Sequence, residues 1–535
     1  MDEYADGSSV SSKVPLTRRY LVVVTAGGET NATPIFEIGR ILAARGHTVE
    51  FGTLEGQEIW AEKYDFVTKT HILGSGAPAD ETEREYKKMS DWNIDQGFGP
   101  VLETKKFLDA SWPSVYGGLK SLMIGPSTRP DFIISDYLVD AVRDMQLEFN
   151  VPIAMHWPQM PTMMLPASYI PGYAGLQIDV LTSEHATMWQ RIRNELVPIR
   201  SLPALFRYYI FLRKMRRASG VHTMLPRTSK PDHLVLVNSC YGVETPKDLP
   251  PLVHAIGPVL ADEYLPLTEP FQNFLDDHGR VLYMALGTHV LLGGETLQSL
   301  VEGALGAMRM DYIDGVIWSI GETARKELKR EVVLRAHGSE GFTIGDLLDG
   351  QLLDFWLPTF APQRAVLDHP HTRLYLTHGG ASSTNETIWH DVPVITLGVY
   401  FDQLQNSLRL ASAGVSENLD RRTFTSSDFT ALVAKILRDK NGSFHSNCER
   451  LKAIARIASR RKYLAADLIE EVLADFEGRQ QEGKDRPMHL QTADMRMPKW
   501  KAQNWDLYAV VGAGSLFVLA IAVALPVALA KALRV

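Results

Sequence analysis

The chain contains 535 residues, of which 45% are hydrophobic, and carries a formal net charge of −8. A single hydrophobic core stops growing near ~250–300 residues, so this length predicts two domains with additional segments. The acidic balance and the lack of any motif that reads RNA or DNA argue against nucleic acid as a partner. Cys240 and Cys448 lie far apart and show no metal-ligand spacing, so we expect free thiols.

The chain begins with a polar, serine-rich segment, residues 1–18, which we expect to be disordered and which lacks the apolar core of an export signal. The apolar run Tyr20–Thr25 is followed by Gly27 and Gly28, an apolar-periodic segment and a second short apolar run. This succession of strand, glycine turn, helix and strand is typical of a parallel, doubly wound sheet. A later strand-like run ends on Asp136, and ligands of such folds bind beyond the carboxyl ends of the strands.

A second series of strand-like runs, which begins near Arg280, repeats this pattern. We therefore predict an α/β fold with two Rossmann-like domains. A proline-rich stretch between the two series predicts a linker. The predicted segments are a first domain at 19–244, the linker at 245–275, a second domain at 276–450, a helix at 451–478 and a polar connector at 479–504.

A basic stretch, Arg191–Arg217, mixes arginines with large apolar and aromatic residues. One interpretation is an interfacial helix that lies against anionic lipid. The other is a helix whose aromatic side belongs to the core of the first domain and whose basic side is solvated. The sequence leaves both interpretations open.

The tail of the chain contains no charged residue from Leu507 to Ala530. At ~1.5 Å per residue this stretch can cross a ~30 Å hydrocarbon core, so we predict a transmembrane helix over 505–531. The alternative is a buried terminal helix, but this stretch is apolar on every face. A carboxyl-terminal span without an export signal predicts a single-pass protein, tail-anchored in the endoplasmic reticulum membrane, whose folded domains face the cytosol.

The most informative motifs are three ordered blocks in the second domain. They are FAPQRAVLDH at Phe360–His369, THGGASSTNE at Thr377–Glu386 and FDQLQN at Phe401–Asn406. An aromatic residue before Pro-Gln, then His-x-Gly with Ser and Glu, then Asp-Gln, resembles the signature of the UDP-glycosyltransferase family. The resemblance implies a GT-B fold, in which an acceptor-binding domain and a UDP-sugar-binding domain face each other across a cleft.

The chemistry of these blocks suits a nucleotide sugar. Phe360 offers an aromatic face for uracil, and Gln363 offers amide edge groups. Gly380 lets the backbone approach a diphosphate where a helix begins, and Ser382 opens that helix. By resemblance, the remaining donor contacts are His378, Ser383 and Thr288 on the diphosphate, Glu386 on the ribose, and Asp402 with Gln403 on the sugar hydroxyls.

The resemblance also implies an inverting transfer of a hexose from the UDP-sugar to a hydroxyl or carboxyl of a small acceptor. Glucose is the commonest donor sugar for the Asp402–Gln403 pair. A membrane anchor favours apolar acceptors such as a terpenoid, sterol, polyketide or other secondary metabolite, and we expect the loops Asp91–Val101 and Met155–Tyr173 to select among them. We expect no cofactor beyond the donor substrate and no metal, because a helix amino terminus and His378 can neutralise the diphosphate.

The general base is where the chain departs from the family pattern. The family usually carries a His in a His-x-x-Pro motif after the first strand, supported by an Asp. Counting back from Pro34 gives Asn31, whose amide cannot accept the proton. Three interpretations are open: Asp136 or Glu29 is the base while Asn31 orients the acceptor; the acceptor is acidic enough to need little help; or the protein is a catalytically weak or silent scaffold that binds a nucleotide sugar or a partner enzyme.

Overall fold

A computed structural model describes residues 17–93, 96–159, 167–172, 179–223, 230–287, 290–334, 341–400, 402–481 and 491–533. Residues 1–16 of the expected disordered segment lie outside this part of the chain, as do Thr288 and parts of both predicted acceptor loops.

The first domain contains a seven-stranded sheet in which every neighbouring pair of strands is parallel. Its strands are β1 (Arg19–Val23), β2 (Thr48–Leu54), β3 (Val67–Gly74), β4 (Phe132–Asp136), β5 (Ile153–Trp157), β6 (Leu234–Val237) and β7 (Val253–Ala255). Their order in the sheet is β3-β2-β1-β4-β5-β6-β7. The central strands are continuous apolar runs because helices cover both faces of the sheet.

Six helices of the first domain flank this sheet. They are α1 (Glu29–Ala44), α2 (Ala79–Ser90), α3 (Gly99–Asp109), α4 (Trp112–Ile124), α5 (Ala141–Phe149) and α6 (Met188–Ala218). Side chains of α1 share an apolar cluster with one face of β1 and β4, whereas side chains of α4 and α5 share another with the opposite face.

The second domain repeats the arrangement with a six-stranded parallel sheet. Its strands are β8 (Val281–Ala285), β9 (Gly315–Ser319), β10 (Phe355–Trp356), β11 (Thr372–Thr377), β12 (Val394–Thr396) and β13 (Ser416–Asn418), in the order β10-β9-β8-β11-β12-β13. Its helices are α7 (Glu269–Asp277), α8 (Gly294–Arg309), α9 (Glu322–Glu327), α10 (Ile344–Leu348), α11 (Gln363–Asp368), α12 (Ala381–His390), α13 (Asp402–Ser412) and α14 (Ser426–Arg438).

The chain then returns to the first domain. The helix predicted over 451–478 is two helices, α15 (Ser443–Ala458) and α16 (Arg461–Gln481). Ala465, Ile469 and Leu473 of α16 lie in the same apolar cluster as α1 and β1, and Nε2 of His47 lies 2.8 Å from Oε1 of Glu470. The last helix of the second half of the chain is therefore part of the core of the first half.

Two further helices follow, the short α17 (Lys499–Ala502) and the long α18 (Trp505–Ala532). From Trp505 to Pro526, α18 is long and apolar enough to cross a membrane, and this part of it is not buried against the rest of the protein.

The two domains contact each other where the end of α2 lies against the second domain. Met89 and Trp92 share an apolar cluster with Leu292. The Oγ atom of Ser90 accepts a hydrogen bond from the backbone N–H of Leu291 at 2.9 Å, and the guanidinium of Arg421 donates to the backbone carbonyls of Ser90 and Trp92. The segment predicted to select the acceptor therefore also joins the domains.

Candidate functional site

Asn31 and Asp136 meet at the carboxyl edge of the first sheet. Asn31 lies in the first turn of α1, just after the turn that ends β1, and Asp136 is the last residue of the neighbouring strand β4. The Nδ2 group of Asn31 donates to Oδ2 of Asp136 at 3.1 Å, and the backbone N–H of Leu138 donates to Oδ1 at 2.9 Å. Because Nδ2 is used in this way, the amide oxygen of Asn31 is the atom left to accept a hydrogen bond from a ligand.

The Asp136 carboxyl has an unusual protonation equilibrium because it is fully buried. Burial raises its pKa to about 7, although the hydrogen bonds from Leu138 and Asn31 favour the ionised form and act against this rise. A carboxyl with a pKa near neutrality has the proton affinity that a general base needs.

Glu29, the other acid considered at sequence level, lies in a different environment. It is exposed at the first position of α1, and its carboxylate forms an ion pair with Lys63. The structure therefore brings Asn31 into contact with Asp136 and gives Glu29 a separate cationic partner.

His156 lies beside Asp136 on the next strand, β5, where the two residues are aligned in register. Burial lowers the pKa of His156 to about 3, so its imidazole is neutral at physiological pH. Among the residues that the structure describes, neither ring nitrogen has a hydrogen-bond partner.

In the second domain, the turn after β11 brings the backbone close to His378. A Cβ atom placed on Gly380 would lie 2.5 Å from Nε2 of His378, and one placed on Gly287 would lie 2.7 Å from its Cε1. The absence of both side chains makes room for the imidazole between two backbone segments. The turn leads directly into α12, whose amino-terminal N–H groups form a ready site for an anion.

The serines of this block differ in position. Ser383 is buried in the first turn of α12, whereas Ser382 is half-buried beside it. The hydroxyl of Ser382 also interacts with the carboxyl of Glu386 and favours its ionised form.

Gln363 and Glu386 belong to one hydrogen-bonded network. The Nε2 group of Gln363 donates to the carboxylate of Glu386, and its Oε1 atom accepts from the hydroxyls of Tyr283 and Tyr375, both at 3.2 Å. Burial raises the pKa of Glu386, while the bond from Gln363 opposes this rise. The network holds both side chains next to the start of α12.

Phe360 precedes this network and is 65% exposed. Its ring is therefore accessible to a planar ligand, because Ala361, the next residue, is the one that enters the core.

Asp402 and Gln403 begin α13, and their side chains have different hydrogen-bond partners. The carboxylate of Asp402 accepts from Nδ2 of Asn406 at 3.3 Å and from the backbone N–H of Ala381, and burial raises its pKa to about 6. The amide oxygen of Gln403 instead accepts from the backbone N–H groups of Val399 and Tyr400, at 3.1 and 3.3 Å. The side chain of Gln403 also interacts with the hydroxyl of Tyr400.

Two further residues, Asn406 and Tyr137, lie next to the predicted site residues, and no sequence motif assigned them a role. Nδ2 of Asn406 donates to the backbone carbonyl of Gly379 at 2.8 Å and also reaches Asp402, so it joins α13 to the turn before α12. Tyr137 follows Asp136 directly, and its pKa is raised by burial and by the negative charges of both Asp136 and Asp402. Tyr137 therefore lies within electrostatic range of acids from both domains. The one-turn spacing of Asp402 and Asn406 was the available signal for Asn406.

A separate cavity of about 420 Å³ lies at the opposite edge of the first sheet. Asn150, Pro152 and Leu234 line it near the amino ends of β5 and β6, together with Val472 and Phe476 of α16. Ligands of parallel sheets bind at the carboxyl ends of the strands, so this cavity is distinct from the candidate site. Among the described residues, no group of three His, Cys, Asp or Glu side chains has a geometry that could hold a metal ion.

Comparison with known proteins identifies the family. Residues 137–458 match the profile of the family described as UDP-glucoronosyl and UDP-glucosyl transferase. A UDP-glycosyltransferase of Talaromyces amestolkiae is 44% identical over 507 residues, which cover 92% of this chain and 94% of that protein. This chain belongs to the UDP-glycosyltransferase family. UDP-glycosyltransferase stmC of Aspergillus ustus is 43% identical over 506 residues, again 92% of this chain and 94% of the relative.

A solved structure shows the same fold. This UDP-glycosyltransferase superposes on the crystal structure of the glycotransferase of kitacinnamycin with a TM-score of 0.58 at 17% identity, over 85% of this chain and 98% of the other. The predicted family, the α/β GT-B fold and the glycosyltransferase class are confirmed. The enzyme binds a UDP-sugar donor, as its family does.

Proposed function

We propose that this UDP-glycosyltransferase transfers glucose from UDP-glucose, with inversion, to a hydroxyl or carboxyl oxygen of a small apolar acceptor. The observation that carries the proposal is the pair of Asn31 and the buried Asp136, joined by a 3.1 Å hydrogen bond at the carboxyl edge of the first sheet, where ligands of such sheets bind. Tyr137, the residue after Asp136, also senses the charge of Asp402, so a base candidate and a sugar-binding candidate, one from each domain, lie within electrostatic range of the same residue. Such an arrangement suits an acceptor held between a base and an anomeric carbon.

The donor roles follow from the positions of the side chains. The accessible ring of Phe360 stacks on uracil, and Glu386, oriented by Gln363, accepts from the ribose hydroxyls. The start of α12 and the Gly380 turn bind the diphosphate, with His378 and Ser383 as further donors and Ser382 beside them. Thr288, which lies outside the described residues, stays a predicted diphosphate contact.

The donor sugar contacts Asp402 and Gln403, in which the carboxylate accepts from sugar hydroxyls and an N–H of the Gln403 amide donates. A second carboxylate on the sugar would be repelled by Asp402. A neutral hexose is therefore favoured over a uronic acid as the transferred group, and glucose is the neutral sugar in the family's description.

The catalytic roles divide between Asn31 and Asp136. The amide oxygen of Asn31 accepts from the acceptor O–H and orients it, and Asp136 takes the proton once the acceptor displaces the amide from Oδ2. The acceptor oxygen then bonds to the anomeric carbon on the face opposite UDP, and the bond from that carbon to the diphosphate oxygen breaks. The charge left on UDP is stabilised by α12. Glu29 has a lesser role because Lys63 neutralises it.

The same proposal includes membrane anchoring by α18, which is unburied and apolar over 22 residues. We place the catalytic domains on the cytosolic face of the endoplasmic reticulum. Both cysteines are buried and unpaired, which fits a reducing compartment. An anchored enzyme meets apolar acceptors where they dissolve, which favours terpenoids, sterols, polyketides or other secondary metabolites.

The test is UDP release from UDP-glucose by the full-length protein in detergent, with a panel of phenolic, terpenoid and sterol acceptors. We expect acceptor-dependent release that Asp136→Asn and Asp402→Asn each reduce by at least about a hundredfold, and little release from UDP-glucuronate. Asp80→Asn, at an exposed position of α2, is the control and should retain activity.

The alternative is a catalytically weak or silent scaffold, for which the replacement of the usual His by Asn31 is the specific reason. Measurable UDP-glucose binding with no release for any acceptor would favour that alternative. Release that is unaffected by Asp136→Asn would instead show that an acidic acceptor reacts without help from a base.

A further inference from the structure

Helix α6 presents an apolar stripe to solvent. Six large apolar side chains recur at helical spacing along one face, and each is exposed: Met188, Ile192, Ile199, Leu202, Phe206 and Ile210. Phe206, near the middle of the stripe, is 65% exposed. Glu195 lies on the same face between Ile192 and Ile199, but a solvated surface rarely exposes this many large apolar side chains along one helix face without a function.

The opposite face of α6 holds the helix on the domain. Val197, Ser201 and Ala204 are buried, and the guanidinium of Arg216 bonds both carboxylate oxygens of Asp144, at 2.6 and 2.7 Å. The hydroxyl of Tyr208 donates to Asp109 of α3. These contacts fix the rotation of the helix, so the stripe cannot turn into the core. One interpretation of the sequence placed the aromatic side of this helix in the core of the first domain. Phe206 does not fit that interpretation, because its ring is exposed.

Cationic side chains lie along one edge of the stripe and around its carboxyl end, with one at the other edge near its amino end. Those that are exposed are Arg191, Arg200, Arg207, Arg213, Lys214 and Arg217. Within the described part of the chain, none of them forms an ion pair within 4.0 Å. The one acid of α6, Glu195, accepts a hydrogen bond from the backbone N–H of Gly172 at 2.8 Å. An apolar face with unneutralised cations along its edges is complementary to an anionic lipid surface.

The connector that precedes α18 contacts the first domain at Lys230. The Nζ group of Lys230 lies 2.5 Å from Oδ2 of Asp494 and 3.4 Å from Oγ1 of Thr492. Lys230 follows closely on the carboxyl end of α6 in the chain, and Asp494 shortly precedes Trp505, where α18 begins. This contact ties the segment that precedes α18 to the first domain, the domain that carries α6.

We propose that α6 lies in the headgroup layer of the membrane that α18 enters, with its apolar stripe toward the acyl chains and its cations on anionic headgroups. This inference rests on the proposed membrane anchoring. Val197 of α6 packs in the same cluster as Trp92 and Phe98 of the predicted acceptor loop. Docking of α6 would thus hold the acceptor side of the cleft against the lipid phase that supplies apolar acceptors.

The test places an environment-sensitive nitrobenzoxadiazole label on α6 in the full-length chain. Phe206→Cys supplies the labelling site, and Leu353→Cys, 82% exposed on the second domain, supplies the control site. Burial raises the pKa of both native thiols, Cys240 and Cys448, to about 12, so they react slowly with the label. Vesicles contain phosphatidylcholine alone or mixed with phosphatidylserine, each with and without doxyl-labelled lipid.

We expect the label at 206 to shift to shorter emission wavelengths in phosphatidylserine vesicles and to be quenched several-fold more by doxyl lipid than the label at 353. Arg200→Glu combined with Arg207→Glu should abolish most of that quenching, because it reverses the charge along one edge of the stripe. Equal quenching at both sites would overturn the proposal.

Flotation of the same vesicles separates the two hypotheses. Flotation without quenching at 206 would retain anchoring by α18 and reject docking of α6. Loss of flotation would reject anchoring and, with it, the docking that depends on it. A wavelength shift at 206 that persists without lipid would show that a second protein surface covers the stripe, which also rejects the proposal.

Discussion

The hydrogen bond from Asn31 to Asp136 opposes the effect of burial on the carboxyl. Desolvation favours the protonated acid, while the amide donor favours the carboxylate, and the outcome is a pKa of about 7. An amide in place of the usual imidazole therefore has a defined electrostatic role even though it cannot accept a proton.

Removing the amide should move the pH dependence of catalysis. In Asn31→Ala the carboxylate loses a donor worth about 1.5–3 kcal/mol, so its pKa rises and the acidic limb of kcat/KM shifts upward by about 1–2 pH units. The pH profile of UDP release in the presence of acceptor measures this shift. Glu29→Gln, which removes the exposed acid, should leave the limb in place; a shift in that variant instead would identify Glu29 as the base.

The same carboxyl should affect stability with a definite sign. Because the pKa of Asp136 is higher in the folded protein than in the unfolded chain, this group contributes less stability as the pH rises from about 4 to about 7. Asp136→Asn cannot ionise, so the stability of the variant relative to the parent should increase by roughly 2–3 kcal/mol between pH 5 and pH 8. Thermal unfolding at both pH values measures the change. A pH-independent difference would contradict the raised pKa.

At the level of elements, the turn between β11 and α12 positions the donor groups. Gly379 has a φ of +77°, and a Cβ atom there would lie 3.1 Å from both the backbone oxygen of Gln403 and Oγ of Ser407. Its carbonyl accepts from Asn406 of α13. The geometry of the turn thus sets the separation between the start of α12 and Asp402.

Gly379→Ala should weaken donor binding as well as stability. A side chain at this φ costs about 1–2 kcal/mol, and its contact with α13 should shift the turn and lower affinity for UDP about tenfold or more. Calorimetric titration with UDP measures the loss. Gly442→Ala, at a φ of +69° with open space around it, is the matched control and should lower the melting temperature without affecting UDP affinity.

At the scale of the whole molecule, buried polar contacts join the domains behind the cleft. Nη1 of Arg409 on α13 lies 3.2 Å from Oε1 of Glu244, which belongs to the end of the first domain, and both are buried. Nδ2 of Asn385 on α12 donates to the backbone carbonyl of Asn238 at 3.0 Å. These bonds connect the helices of the donor site directly to the first domain.

Breaking the buried ion pair should destabilise the molecule strongly. Arg409→Ala removes the cation 3.2 Å from the buried Glu244 carboxylate, which should cost about 3–5 kcal/mol. Arg45→Ala, whose partners on α16 are partly exposed, should cost about 1 kcal/mol or less. Urea unfolding of both variants compares the two pairs, and Glu244→Gln added to Arg409→Ala should recover part of the loss. If both single variants lost the same free energy of unfolding, burial would not be what makes the Arg409–Glu244 pair more stabilising.

Sequence alone was sufficient for the fold and the family, since the relevant signals are local, and it predicted the residues of the donor half of the site. Apolar runs that end on glycine turns specify parallel strands, and the His378–Glu386 block places its functional residues within one turn and one helix. The length of the apolar tail likewise determined that α18 could span a membrane.

Only the tertiary structure decided contacts between residues far apart in the chain. Asn31 and Asp136 are separated by 105 positions and meet because β1 and β4 are adjacent. The side-chain oxygen of Gln403 accepts hydrogen bonds from backbone N–H groups of the loop before it. Phe206 points away from the core. The spacing of residues along the sequence could not reveal either feature. Sequence patterns encode local conformation, whereas hydrogen-bond partners, desolvation and the rotation of a helix depend on which surfaces pack together.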